Sequence, residues 1–136
     1  MIHSTKIGVI IRDDLLTWQK LNVTAFLASG VAASAPECIG TPYEDGSGNT
    51  YLSIFGQPVF VLAASGEHLQ RTRTRALSRE VPMAIYTKDM FVTNNDADNR
   101  AVVKAVAAED LEIVGLAFRA EAKTFDKIVD GLKLHA

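Results

Sequence analysis

Apolar positions in this chain fall into short blocks of two kinds, and the kinds alternate. Residues 6–12 are β-branched and apolar almost without a break, as a central strand covered on both faces requires. Asp13 and Asp14 follow and are placed to cap a helix. Residues 15–33 then carry no proline and are rich in alanine and leucine; Leu21, Ala25, Ala28 and Ala32 recur at helical spacing and mark the face expected to be buried. Small side chains on that face favour close approach to a sheet.

Pro36 ends the helix, and the turn formers of residues 40–50 predict a loop or small hairpin with residues 51–54 as its return strand. Residues 58–63 form a second apolar strand. Ser65 opens a helix to about residue 79, with Glu67 in the first turn where a negative charge suits the helix dipole. Residues 81–86 predict a third strand, with Pro82 near its start. A polar connection over 88–99 leads to a helix over 99–108 capped by Asp98, then a strand over 111–118 and a last helix over 122–131. Strands alternating with helices predict a three-layer α/β/α domain with a small mixed, mostly parallel sheet of about four strands. With no repeat, low-complexity tract or dividing linker, residues 1–136 are expected to form a single domain.

Composition narrows the function classes. A net charge of −2 excludes a globally basic nucleic-acid binder while leaving room for a local basic patch. The single cysteine, Cys38, excludes an internal disulfide and suits a reducing compartment. The apolar stretch at 7–11 is too short for a secretory leader, and no run of about 18 apolar residues exists to span a bilayer. The expected setting is soluble and cytoplasmic, with no membrane partner. His3, His68 and His135 are scattered, so no metal is expected. Neither nucleotide-loop glycine pattern occurs, and no cofactor is expected.

Three stretches resemble the type II peptidyl-tRNA hydrolase superfamily and, more narrowly, an uncharacterised bacterial group known as the domain of unknown function number two thousand. They are the first strand with Asp14-Leu15 and the helix segment 21–30, the loop from Asp89 to Thr93, and the C-terminal run 125–134. The resemblance implies a peptidyl-tRNA hydrolase II-like fold, commonly a homodimer. It also implies an active site on the first helix, where the hydrolases carry a lysine, a glutamine and a histidine. Here those positions hold Asn22, Phe26 and Ser29. Asparagine does not supply lysine's permanent charge, and Lys20 points about 200° round the helix from it. Asp89 and Thr93 keep the spacing of the hydrolases' aspartate and threonine.

These residues define a candidate ligand cleft: Asn22 and Ser29 as hydrogen-bonding groups, Phe26 as a stacking surface, and Asp89 and Thr93 as further lining residues. The competing reading makes Phe26 a core residue. Arg71, Arg75 and Arg79 lie along one helix face and are candidates for anion or RNA-backbone binding, or else form a solvated outer face. The leading expectation is a small, dimeric binding protein that uses this cleft, for a small-molecule ligand or, with less support, RNA, and is not an ordinary peptidyl-tRNA hydrolase. Two alternatives stand beside it: a hydrolase of peptidyl-tRNA or another acyl ester, and a non-catalytic dimeric interaction protein.

Overall fold

The computed structural model describes residues 3–136. In chain order its elements are β1 (Thr5–Arg12), α1 (Thr17–Ser34), β2 (Tyr43–Glu44), β3 (Thr50–Tyr51), β4 (Val59–Ala64), α2 (Gly66–Ser78), β5 (Met83–Thr87), α3 (Asp96–Lys104), β6 (Ile113–Glu121), α4 (Ala122–Ile128) and β7 (Lys133–Leu134). Side chains alternate across a strand, so Ile7, Val9 and Ile11 of β1 enter one core and Ile10 enters the other. A strand feeding two cores needs helices on both faces. Helix α1 covers the first core with Val23, Leu27 and Val31, while α2 and α4 cover the second with Leu69, Ala76, Phe125 and Ile128. The result is an α/β fold with helices on both faces of one main sheet. No helix among the described residues is long and apolar enough to cross a membrane.

The sheet departs from the sequence-based expectation. It has five strands in the order β5-β6-β1-β4-β7, and only the β1–β4 pairing is parallel. A continuous apolar run reports cover on two faces, not strand direction, and β6 shows the difference. The chain leaves β5 and re-enters β6 at the same end of the sheet, where the Lys88 N–H donates to the Glu112 carbonyl at 2.9 Å. Strand β6 therefore returns antiparallel between β5 and β1. The fifth strand, β7, has two residues and pairs with β4 after Gly131 turns the chain at φ 88°. It lies beyond the expected last helix, which stops at Ile128.

Helix α1 also buries a different row from the alanine-rich one. Val23, Leu27 and Val31 are sealed, whereas Leu21 is 68 % exposed. Both rows are apolar at helical spacing, but only the larger side chains fill the space above the sheet. Close approach comes from the strand: a Cβ at Gly115 would lie 2.8 Å from Val23 and 3.0 Å from Leu27. Gly115→Val is therefore expected to cost about 1–3 kcal/mol by overpacking, lowering Tm by roughly 4–12 °C in calorimetry.

Helix starts show which polar side chain wins. Ser65 caps α2, accepting from the His68 N–H at 3.2 Å. Neither Asp13 nor Asp14 caps α1; the Leu16 N–H donates to the Gln19 side chain at 3.0 Å, and Asp14 pairs with Arg12 at 2.6 Å. Helix α3 is capped by Asn95, not Asp98, and so begins earlier than expected; the Asn95 side chain accepts from the Asp98 N–H at 2.8 Å. Asp98 then sits in the first turn, where its charge favours the helix dipole.

The short hairpin is organised by Asp45. Its carboxylate accepts from the backbone N–H groups of Ser47 and Asn49, the Asn49 amide and the Tyr51 hydroxyl. The Asn49 and Tyr51 bonds, in that order, hold its pKa well below the ordinary carboxylate range. A depressed folded-state pKa contributes stability that is present above the unfolded pKa and lost as pH falls through the folded one. Amide chemical shifts over 43–51 are expected to stay native at neutral pH and move only in strong acid. In Asp45→Asn that acid transition should vanish.

Candidate functional site

Strands β1 and β4 run parallel and send their following helices to opposite faces, a topology that often opens a crevice outside their C-terminal ends. Here that crevice is bridged. The Asp13 N–H donates to the Ala64 carbonyl at 2.8 Å, and Arg12 is tied to Asp14 and Glu112.

Ligand-sized space lies instead beside the edge strand β5. Two adjoining depressions of about 490 and 380 Å³ share Phe26, Tyr86, Met90, Asp96 and Asn99, and so form one cleft between α1, β5 and α3. Its α1 wall is a single helical row, Trp18, Asn22 and Phe26, one turn apart. Its far wall is one face of α3, from Asp96 through Asn99, Arg100 and Val103 to Lys104. None of the α3 residues is buried, so this wall is held mainly by the 3₁₀ segment Lys88–Val92 before it.

The floor is aromatic. Ring centroids step from Trp18 to Phe91 (6.0 Å), Phe91 to Tyr86 (5.2 Å) and Tyr86 to Phe26 (5.8 Å) in edge or tilted geometries, within the range of favourable aromatic pairs. Burial raises the Tyr86 pKa above the ordinary phenol value, so its hydroxyl is neutral at physiological pH. Tyr86 lines both depressions, and its hydroxyl makes no hydrogen bond among the described residues. Trp18 and Phe26 are 58 % and 54 % exposed although they pack on the half-buried Phe91 and the buried Tyr86. Phe26 is thus a wall of the cleft, not a core residue.

Three of the five cleft residues expected from sequence, Asn22, Phe26 and Thr93, line this space together. The Thr93 hydroxyl donates to the Met90 carbonyl at 2.9 Å and touches the Asn99 amide, tying the 3₁₀ segment to α3. Ser29 stands outside the lining; its hydroxyl donates to the Phe26 carbonyl at 2.5 Å within its own helix. Asp89 is exposed on the 3₁₀ segment and is also outside the lining. Trp18 was legible: it precedes Asn22 by four residues and extends the same row. Tyr86, Asn99, Val103 and Lys104 carry no comparable signal, because the sequence does not say that α3 packs opposite α1.

The arginine row is across the sheet. Helix α2 belongs to the core opposite α1, so Arg71, Arg75 and Arg79 do not adjoin the cleft. Arg75 donates to the Asp130 carbonyl at 3.0 Å, and Arg79 to the Arg75 carbonyl at 3.1 Å. Arg75 and Arg79 share a shallow hollow with Lys127 and with the carboxylates Asp126 and Asp130, which offset their charge. Among the described residues no three histidine, cysteine, aspartate or glutamate side chains gather as a metal site would require.

The family model described as "Protein of unknown function (DUF2000)" matches residues 5–136. The chain belongs to the DUF2000 family. A solved structure of a protein of unknown function from Agrobacterium tumefaciens is similar to it at 47 % identity and a TM-score of 0.97, covering 99 % of this chain and 100 % of its own. Among curated proteins nothing matches this DUF2000 chain.

Proposed function

We propose that the protein binds a small molecule in the cleft between α1, β5 and α3 and is not an ordinary peptidyl-tRNA hydrolase. The observation that carries this is the cleft itself: a ligand-sized space with an aromatic floor, a neutral phenol, and polar side chains contributed by Asn22, Thr93 and α3. We read the chain as an altered relative of the type II hydrolases, acting in the cytoplasm. Asn22, which the resemblance sets at their lysine position, lines the cleft, and this supports reading the cleft as an altered form of their site. Acyl-ester hydrolysis would need a free acid or base beside Asn22, and Asp96, the carboxylate that shares the lining, is paired with Arg100. Asp89, the candidate from sequence, lies outside the lining, and the arginines suited to an RNA backbone lie on the other face.

Trp18 is the only tryptophan and lines the cleft, so its fluorescence reports on occupancy directly. Titration with the neutral aromatic amide hydrocinnamamide is expected to change that fluorescence saturably. Single-turnover hydrolysis of peptidyl-tRNA by the wild type is expected to match that of an Asp89→Asn, Asn22→Ala double variant. Turnover clearly above the double variant would return the chain to the hydrolases.

A second reading, a homodimeric interaction protein, is favoured by one observation. Residues 21–36 contain no charged side chain, and the outer face of α1 leaves Leu21 68 % exposed. A second copy covering that face would remove the largest uncharged strip on the helix from water. Leu21→Glu is then expected to shift sedimentation from dimer to monomer while leaving hydrocinnamamide binding intact. A wild type that sediments as a monomer rejects this reading.

A further inference from the structure

The α3 wall gives the cleft a charge asymmetry. Asp96, Arg100 and Lys104 succeed one another at four-residue spacing along the lining face. Arg100 is paired with Asp96, which cancels both. Lys104 forms no ion pair among the described residues and stands at the end of the row. Beneath it the surface is apolar, built from Phe26, Leu27, Ala84, Tyr86 and Val103. At the opposite end the rim is uncharged and amide-rich, with Asn22 and Asn94. The cleft therefore presents, in the last turn of α3, one cation with no carboxylate partner beside an apolar bed.

We infer that the physiological ligand is a small amphipathic anion, an aromatic or compact apolar body carrying one carboxylate, with its body on the Phe26–Tyr86 surface and its charge at Lys104. This rests on the cleft being the binding site and goes further by naming the class of ligand. A neutral ligand satisfies the apolar bed but leaves the exposed ammonium to water. A dianion would bring one charge more than the unpaired cation can neutralise. Nothing here requires a covalent step; the interaction is burial plus one charge pair, and it is screened by salt because Lys104 is exposed.

The test compares hydrocinnamate with hydrocinnamamide, which match in shape and differ in charge, by Trp18 fluorescence. The acid is expected to bind about two- to fivefold tighter at low ionic strength, and the preference should fade as salt rises. Lys104→Met should remove the preference by weakening the acid alone, and Lys104→Glu should reverse it. The amide serves as the control for any loosening of α3, because a purely structural lysine would change both ligands equally. Equal binding of acid and amide to the wild type overturns the anion assignment and leaves the cleft reading intact. Failure of both to bind, or binding that Phe26→Ala does not change, overturns the cleft reading itself.

Discussion

Phe118→Ala is expected to be the most destabilising truncation, costing about 3–5 kcal/mol and lowering Tm by at least roughly 10 °C, while leaving ligand affinity unchanged in the protein that remains folded. Phe118 is 1 % exposed in the middle of β6, and its ring lies 5.1 Å from that of Phe125 on α4. Its removal leaves a cavity that the paired strands β5 and β1 cannot collapse to fill. The loss is confined to the core beneath α2 and α4, because Phe118 points away from α1. Urea unfolding with fluorescence detection measures the first part. Titration with hydrocinnamamide at a temperature where the variant is folded measures the second.

Phe26→Ala is the converse. A side chain 54 % exposed contributes little to the core, so stability should move by no more than about 0.5 kcal/mol. Affinity for hydrocinnamamide should fall about tenfold, roughly 1.4 kcal/mol, because the variant removes the wall common to both depressions and its contact with Tyr86. A large stability loss with unchanged affinity would reassign Phe26 to the core. Together the two variants separate a sealed core side chain from an exposed wall of the cleft.

The same separation explains what the sequence made legible. The strands were visible because Ile7, Val9, Ile10 and Ile11, or Val114, Leu116 and Phe118, leave no polar position to face water. Their direction was not, since an antiparallel strand covered on both faces has the same composition as a parallel one. The row that α1 buries was misread because the helix is apolar nearly all round. Choosing Val23, Leu27 and Val31 over Leu21 and its alanines required knowing that Gly115 opens a slot for them. At the site, Asn22, Phe26 and Thr93 were singled out through the resemblance to the hydrolases, and they line the cleft. Asp89 keeps the spacing and misses the lining, because the chain winds as a 3₁₀ segment from Lys88 to Val92 and leaves Asp89 exposed. The whole α3 wall depends on tertiary packing, and no local pattern announces it.

Backbone amide chemical-shift mapping with hydrocinnamamide tests the central claim most directly. Perturbations are expected to cluster on residues 18–27, 84–86, 90–95 and 96–104, the elements that line the cleft. Perturbations concentrated on α2 or on the hairpin at 43–51, or none at ligand concentrations near its solubility, would contradict it.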